Sequence, residues 1–201
     1  MSEPDPLDAV RLRSAVRKQR IGRRVVVLEE TTSTNDKLAE MAAESAEGLV
    51  VLAEHQTSGR GQYGRHWESA ARKGLWMSIL LRPQLAVAES RRLTAFFATV
   101  IAATIEKQLR LVPAIKSPND VYLDGRKIAG VLVEMRVESR GSYCAIAGLG
   151  INVNQTLTDF PTELRETAGS LSLARGSSVD RTELAIELLR RMEERYTAGQ
   201  L

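Results

Sequence analysis

Residues 121–137 carry the stretch that decides the fold, and they read VYLDGRKIAGVLVEMRV. Asp124 and Gly125 separate two apolar, β-prone runs at 121–123 and 128–137. An Asp-Gly pair between two such runs is a strong short-range signal for a hairpin with a tight turn. We therefore predict two antiparallel strands in this stretch.

The sequence around this hairpin extends it into a larger sheet. A second turn at 139–142 leads into an apolar run at 143–153, which predicts the third strand of a meander. Further strands are predicted at 25–28, 49–53 and 75–81. The run at 49–53 shows no polar alternation, which indicates a strand that is buried on both faces.

Four segments have helical character. They are 8–19, a segment through 38–42 that follows a hydroxyl-rich cluster at 31–36, 91–109, and 181–196. Hydroxyl groups of the cluster are expected to cap the second helix. In the last two segments apolar residues recur at helical spacing, so one face of each helix is expected to pack on the sheet. Because strands and helices are mixed rather than strictly alternating, we predict an α+β fold with a mixed, mostly antiparallel sheet flanked by helices.

Composition and charge narrow the function classes. Lys and Arg number 28 against 25 Asp and Glu, and this net charge of +3 is too small by itself to indicate nucleic-acid binding. The basic cluster at 11–24 is interpreted as a solvated helix face. DNA binding is the less favoured alternative, because no second helix at helix-turn-helix spacing precedes the first strand.

Cysteine content and hydropathy bear on the compartment. The single cysteine, Cys144, cannot form an internal disulfide framework, and two histidines leave little material for a zinc site. No apolar stretch approaches the ~20 residues that cross a bilayer, so no membrane partner is expected. The acidic N-terminus lacks a signal-peptide core. We therefore expect a cytoplasmic protein.

Residues 59–65, which read GRGQYGR, give the strongest local signal for ligand binding. Glycines let the backbone approach a ligand and expose amide donors, while arginines add a fixed charge that suits phosphate. We interpret the segment as an anion-binding loop. A mobile basic surface loop explains these residues equally well when they are taken alone. The segment is neither a Walker sequence nor a dinucleotide-binding glycine motif.

Lys116, Asn119 and Asp120 form a second group around Pro118. Lysine can stabilise negative charge that develops on an oxygen, and an Asp-Asn pair can hold magnesium or orient an amine. The same composition is also typical of an ordinary turn, which is the more economical interpretation of these residues alone.

Two further groups lie in the predicted meander. Lys127 follows the hairpin turn and Gly130 lies inside the next strand, while Gly148 and Gly150 interrupt the third strand. A glycine inside a strand indicates close approach by a ligand or another backbone. As an alternative, Lys127 can simply protect an exposed strand edge.

Taken together and in this order, five motifs resemble those of the catalytic domain of biotin–protein ligases, the biotin–[acetyl-CoA-carboxylase] ligase family. The motifs are Ser33-Thr34-Asn35, the loop 56–61 followed by Arg65 and Trp67, 116–120, 127–134, and 148–152. The resemblance runs from about residue 25 to residue 154. It implies a class II aminoacyl-tRNA-synthetase-like fold, with 1–24 as an N-terminal extension and 25–201 as the catalytic domain.

The resemblance implies a reaction in two steps. Biotin and ATP, with Mg²⁺ on the nucleotide, give biotinyl-AMP and pyrophosphate. The biotinyl group then passes to a lysine of an acceptor of the biotin-carboxyl-carrier type. A homodimer through the sheet edge is a family-level possibility.

The matched positions imply roles for individual residues. Those implied for biotin binding are Ser33, Thr34, Asn35, Gln56, Arg60, Gly61, Gln62, Lys127, Gly130, Gly148 and Gly150. Those implied for nucleotide binding are Gly59, Arg60, Arg65, Trp67, Asn119 and Asn152, with Mg²⁺ near Asn119 and no fixed metal site. Those implied for catalysis are Lys116, Asp120 and Lys127. Lys127 is expected to meet the biotin carboxylate, and Asp120 the amine of the acceptor lysine.

The match also has departures. Gln62 stands where the family usually has arginine, which predicts a looser grip on biotinyl-AMP, and Ser117 stands where it usually has tryptophan. Residues 1–24 are too few for the DNA-binding domain of the repressor-type members, so no operator binding is expected. The resemblance implies a small C-terminal β-barrel domain after the last helix; we expect residues 197–201 to be too few for it, in a truncated or a naturally short form, with an effect on ATP affinity and acceptor docking.

Two other functions remain open on the sequence. A lipoate or octanoate transferase has a similar fold and also transfers an acyl group to lysine. A non-catalytic module that binds biotinyl-AMP would need the same pocket without the reaction.

Overall fold

A seven-stranded sheet forms the centre of the protein in the computed structural model, which describes residues 6–138 and 142–200. The strands are β1 (Arg24–Thr31), β2 (Leu49–Gln56), β3 (Gly74–Leu81), β4 (Ala114–Lys116), β5 (Asp120–Leu123), β6 (Arg126–Val137) and β7 (Tyr143–Asn152). Their order is β1-β2-β3-β7-β6-β5-β4. β1 and β2 are parallel, and the other neighbouring pairs are antiparallel. The predicted α+β class with a mostly antiparallel sheet is confirmed.

Five α-helices accompany the sheet in the described residues. They are α1 (Ala9–Val16), α2 (Thr34–Ala42), α3 (Ser90–Leu109), α4 (Leu171–Arg175) and α5 (Arg181–Thr197). Asp8 and Asp180 begin α1 and α5, because each carboxylate accepts a backbone N–H three residues further on. The helices predicted at both ends of the chain and at 91–109 are therefore confirmed.

The helices cover the two faces of the sheet unequally. α1, α3 and α5 pack on one face, where Leu12, Phe97 and Leu188 belong to the main apolar core. α2 packs on the opposite face, against a smaller cluster that contains Leu80 and Ile146. Because both faces are covered, β3 is buried along its whole length, and β2 is nearly so, as predicted.

The predicted hairpin and meander are confirmed in the described residues. Asp124 and Gly125 both have positive φ, at 49° and 75°, which is the conformation that the tight turn between β5 and β6 requires. β6 then pairs with β7 along nearly its whole length. The second turn, predicted at 139–142, lies outside the described residues except for Ser142.

Three local features differ from the predictions. β4 was not predicted, because its three residues are all exposed and carry no alternation. α4 was also missed, since it has only five residues. α2 begins after Ser33, but the Ser33 side chain makes no capping hydrogen bond. The predicted hydroxyl cap is therefore wrong.

The residues before β1 share the main core. Leu12, Val16 and Ile21 are completely buried in it. The backbone N–H of Leu7 donates to the buried carboxylate of Glu54, which also pairs with Arg181 at 2.7 Å. The boundary at residue 24 stays a prediction. Among the described residues, no helix has the length and apolar character that crossing a membrane requires.

Candidate active site

A pocket opens where the start of α2 faces the glycine-containing parts of β6 and β7. Its lining residues are Ser33, Thr34, Asn35, Gln56, Arg60, Gly61, Gln62, Trp67, Asn119, Lys127, Gly130, Val131, Leu132, Gly148, Leu149 and Gly150. Alternate residues of a strand share a face, so Gly148 and Gly150 continue the face that carries Cys144 and Ile146 under α2. Loss of large side chains at two successive positions of this face opens the pocket.

Buried polar side chains form a chain of hydrogen bonds at one end of the pocket. Gln56 Oε1 accepts the backbone N–H of Thr34 at 2.8 Å, and Gln56 Nε2 donates to Ser69 Oγ at 3.0 Å. The Ser78 hydroxyl donates to Asn35 Oδ1 at 2.6 Å and lies 2.8 Å from Thr34 Oγ1. Because a buried polar group is costly unless it is paired, these bonds fix the side chains in one arrangement.

Ser33 completes this polar end. Its side chain is buried, lines the pocket and makes no capping bond to α2. The hydroxyl therefore lies at the pocket without a bond to the helix. Together with Asn35 and Gln56, it gives the pocket both donors and acceptors within a small volume.

The glycines of the pocket allow close approach by Trp67. A Cβ atom at Gly150 would lie 2.5 Å from the Trp67 ring, and one at Gly130 would lie 2.9 Å from it. Trp67 also packs edge-on against Trp76, with ring centres 6.5 Å apart. Its indole N–H is buried and has no hydrogen-bond partner in the part of the chain that the structure describes. The ring therefore lies directly on the backbone of β6 and β7.

Arg60 ties the glycine-rich loop to the rest of the site. It donates two bonds to the Glu134 carboxylate, at 3.0 and 2.8 Å, and one to Asp36 at 2.7 Å. Glu134 also accepts a bond from Asn35 Nδ2 at 2.7 Å. Burial opposes the ionisation of Glu134, but the hydrogen bonds from Arg60 and Asn35 outweigh it and lower its pKa. The hydrogen bond to Glu134 in turn raises the pKa of Arg60.

Lys127 lies at the junction between this pocket and a second cavity, since it lines both. Its ammonium is 2.7 Å from Asp120 Oδ1 and 5.3 Å from the centre of the Trp67 ring. Asn119 Nδ2 donates to the same Asp120 oxygen at 2.6 Å. The ammonium can therefore meet an anionic group that passes from one cavity to the other.

The second cavity has a mixed wall, half of it apolar or aromatic side chains and half of it polar or charged ones. Its lining residues are His66, Trp67, Glu68, Tyr122, Lys127, Asn152, Phe160, Leu164, Thr167 and Ala168. Trp67 belongs to both cavities and separates them. In the described residues no group of three or more His, Cys, Asp or Glu side chains is arranged to hold a metal ion.

A model of the biotin/lipoate A/B protein ligase family matches residues 16–152, which is more than half of the chain. The chain belongs to this family. It is 34% identical over 197 residues to the biotin–[acetyl-CoA-carboxylase] ligase of Mycobacterium tuberculosis, covering 94% of this chain and 71% of that protein. The resemblance to biotin–protein ligases that the motifs predicted is therefore confirmed.

Other relatives agree in sequence and in fold. The chain is 36% identical over 197 residues to the bifunctional ligase/repressor BirA of Bacillus subtilis, and the match covers 98% of this chain but 61% of that protein. The chain thus spans about three fifths of that relative. A biotin protein ligase from Aquifex aeolicus, solved in complex with biotin and ATP, has a TM-score of 0.75 and 32% identity, covering 87% of this chain and 71% of that one.

Within this ligase-family fold, most of the predicted site residues come together. Ser33, Thr34, Asn35, Gln56, Arg60, Gly61, Gln62, Trp67, Asn119, Lys127, Gly130, Gly148 and Gly150 all line the first pocket. The resemblance implies that the three strand glycines make room for the ring system of biotin. In the structure the space nearest them holds Trp67 and, beside Gly148, the Asn35 side chain, whose Oδ1 lies 2.3 Å from where a Cβ would be.

The remaining predicted residues lie elsewhere. Asn152 lines the second cavity, but its side chain bonds the Gly169 carbonyl and Gln155. Four predicted residues line neither cavity: Gly59, Arg65, Lys116 and Asp120. Of these, Asp120 contacts Lys127, whereas Arg65 and Lys116 are exposed. The roles predicted for these residues stay predictions.

Several residues of the site were not nominated from the sequence. Ser78 had a usable signal, because it is the lone polar side chain in a strand buried along its whole length, and such a residue needs a partner. Glu134 and Asp36 carry no sequence signal that places them beside Arg60. The wall of the second cavity at 160–168 follows β7 without a recognisable motif, so sequence reasoning had nothing to identify there.

Proposed function

We propose that this protein activates biotin with ATP and transfers it to a lysine of an acceptor protein. The single observation that carries the proposal is the polar end of the first pocket, where Ser33, Asn35 and Gln56 line the same pocket as Gly148 and Gly150. Biotin has a polar ureido edge on a small apolar bicycle. A ureido group offers one strong acceptor and two donors, and these three side chains offer the complementary donors and acceptors.

The same observation favours biotin over lipoate. The dithiolane ring of lipoate has no strong hydrogen-bonding group, so it would leave the buried hydroxyl of Ser33 and the remaining amide capacity of Asn35 and Gln56 unsatisfied. A site built for hydrogen bonds rejects a ligand that lacks them, because its polar groups are then buried without partners. The names of the relatives from Mycobacterium and Aquifex support the same choice.

The junction at Lys127 supports chemistry on the biotin carboxylate. With the ureido edge at the polar end, the carboxylate would reach toward Lys127, and the nucleotide would lie in the second cavity. A carboxylate oxygen then attacks the α-phosphorus of ATP, and pyrophosphate leaves. The fixed charge of Lys127 stabilises the oxygens of the carboxylate and the phosphoryl group as negative charge shifts between them.

The second step transfers the acyl group. The acceptor lysine loses a proton, its amine attacks the acyl carbon, and AMP leaves. Asp120 lies 2.7 Å from Lys127 at this junction and is the residue we assign to orient the amine. Asn119 donates to Asp120 through its amide nitrogen, so its carbonyl oxygen is the atom placed to meet a cation. The Mg²⁺ ion arrives with ATP as part of that substrate.

The glycine-rich loop would protect the intermediate. Biotinyl-AMP is a mixed anhydride that water hydrolyses, and Arg60 holds the loop against β6 and α2 over the pocket. A closed loop keeps water from the acyl carbon until the acceptor arrives.

We propose an acceptor of the biotin-carboxyl-carrier type and a cytoplasmic setting where ATP is available. Residues 25–201 form the proposed catalytic domain, supported by α1 through its packing in the same core. A homodimer through the sheet edge stays a prediction.

Pyrophosphate release tests the reaction. The protein is mixed with ATP and either biotin or lipoate, and we expect pyrophosphate with biotin. Release with lipoate alone would assign the protein to the lipoate branch, and binding of biotin without release would make it a non-catalytic binder. Incubation with a biotin-carboxyl-carrier domain, followed by mass spectrometry, should then show one biotinylated lysine.

A further inference from the structure

Glu134 joins two parts of the site, the polar end of the pocket and the glycine-rich loop. The Glu134 carboxylate accepts from the Asn35 amide at 2.7 Å and from the two terminal guanidinium nitrogens of Arg60 at 2.8 and 3.0 Å. Asn35 belongs to the polar end of the pocket, and Arg60 belongs to the glycine-rich loop. No other described residue bonds side chains of both the loop arginine and the polar end.

The Glu134 side chain is partly buried, with 23% of it exposed, and Arg60 is exposed to 36%. A two-pronged arginine–carboxylate contact of this kind is stronger and more directional than an ordinary surface pair. The lowered pKa of Glu134, caused by the bonds that outweigh its burial, keeps the carboxylate charged at neutral pH. It therefore accepts from both partners at once.

The contact with Asn35 fixes which way its amide points. Because Nδ2 donates to the Glu134 carboxylate, which can only accept, a flipped amide would set its oxygen against that carboxylate and lose this bond. Asn35 is thereby held with one remaining N–H and one remaining lone pair for a ligand. Glu134 thus determines which hydrogen-bonding groups of the Asn35 amide face the pocket.

The contact with Glu134 also limits what Arg60 can do. Its guanidinium bonds two carboxylates, Glu134 and Asp36, so its charge is already balanced. A balanced cation contributes less to holding phosphate than a solitary one, but it anchors the loop firmly to β6 and α2. The arginine therefore acts on the loop more than on the nucleotide.

We propose that Glu134 is a positioning residue that couples closure of the glycine-rich loop at 59–65 to the orientation of the Asn35 amide. The proposal rests on the proposed function, because it concerns the biotin site. Its consequence is that loss of the Glu134 carboxylate should loosen both the Asn35 amide and the anchoring of Arg60.

The test uses Glu134→Gln, which keeps the size and removes the charge. The matched control is Glu138→Gln, because Glu138 makes a two-pronged pair with Arg82, at 2.8 and 2.6 Å, near the same strand but outside the pocket. We expect Glu134→Gln to weaken biotin binding and to speed the release of biotinyl-AMP, each by about tenfold. Glu138→Gln should leave both within about twofold, as for a pair away from the site.

A double-mutant cycle separates coupling from simple loss of contacts. Arg60→Gln should also speed the release of biotinyl-AMP. The double variant should release it no faster than the faster single variant, because both changes remove the same contact between Arg60 and Glu134. The proposal would be overturned if the two changes multiplied in their effects on the release rate. It would also be overturned if Glu134→Gln bound biotin and retained biotinyl-AMP like the native protein.

Two outcomes keep the result interpretable. If the melting curve shows that Glu134→Gln does not fold, Glu134→Asp replaces it in the test. The Asp side chain keeps the charge but is too short to reach both partners. This variant should therefore show the same weakened biotin binding and the same faster release of biotinyl-AMP. Normal values for that variant would overturn the coupling. Failure of the native protein to bind biotin would overturn the proposed function instead, and so the two failures are distinguishable.

Discussion

Two halves of one sheet face lie under α2, and they differ in only a few side chains. In one half Leu80 of β3 and Ile146 of β7 pack against the helix as a dry apolar cluster. In the other half, Ser78 and Gly148 occupy the next positions of the same strands on the same face, two residues from Leu80 and Ile146. The strand pairing continues unchanged across both halves. A scaffold of this kind becomes a binding site by a change of size and polarity at alternate positions.

The largest expected effect comes from the apolar half. Ile146 is fully buried, so Ile146→Ala should lower the free energy of unfolding by about 2–5 kcal/mol, through lost burial and a cavity. Chemical denaturation measures this change. The folded fraction should still bind biotin with native affinity, and a loss of affinity in the folded variant would show that the two halves are not independent.

The reverse pattern is expected in the polar half. Gly148→Ala places a Cβ 2.3 Å from Asn35 Oδ1, so the amide must move away from Ser78 and Glu134. Loss of these two bonds should weaken biotin binding by about 2–4 kcal/mol, with the fold retained. Calorimetry gives the affinity and a melting curve gives the stability. Native affinity in this variant would contradict the contact that we describe.

Lys127 marks the far end of the polar half. Lys127→Ala removes the charge at the junction of the cavities and should slow the formation of biotinyl-AMP by the equivalent of about 1.5–3 kcal/mol. Pyrophosphate release with saturating biotin measures the rate. Lys37→Ala, which removes an exposed lysine paired with Glu40, is the control and should be silent. An unchanged rate for Lys127→Ala would refute its assigned role.

The ion pair of Glu134 predicts a pH dependence that the apolar half lacks. Because its pKa in the folded protein is lowered, its contribution is fully present above its unfolded pKa of about 4.3 and is lost as the pH falls through the folded pKa. Discounted for solvent screening, the contribution is about 0.5–1 kcal/mol. Native protein and Glu134→Gln should differ by this amount in unfolding free energy at pH 7, and the difference should disappear as the pH falls through the lowered pKa of Glu134. A constant difference would contradict the assignment.

The smallest expected effect is at Gln62, which donates a long bond of 3.3 Å to the Val131 carbonyl. Gln62→Arg adds a charge beside the position expected for the phosphoryl group and should slow the release of biotinyl-AMP by up to about fivefold, as for a partly exposed ion pair. Stopped-flow displacement measures the release. Equal release rates in the two proteins would count against the predicted weak grip.

Much of the fold was predictable because local signals agreed with it. The Asp124–Gly125 turn, the apolar run at 49–53 and the helical spacing at 91–109 each determine an element on their own. Pairing between distant strands was not predictable, since nothing in the sequence of β1 shows that it lies parallel to β2. β4 was missed for a related reason, because its exposed residues depend on pairing with β5 rather than on burial.

The site was predictable to the extent that its chemistry lies in compact motifs. Asn35, Lys127 and the strand glycines were nominated in that way, and they meet in one pocket. The partners of those motifs were not predictable. The bonds of Arg60 to Glu134 and Asp36 join residues 74 and 24 positions apart, and only the folded sheet brings these carboxylates to the loop.

Calorimetric titration of the native protein with biotin and with lipoate tests the central claim most directly, because it asks whether the polar half of the α2 face recognises a ureido group. We predict saturable binding of biotin to one site per chain, and binding of lipoate that is weaker by at least about a hundredfold, as expected when buried polar groups lose their partners. Equal affinities, or binding of lipoate alone, would contradict the account.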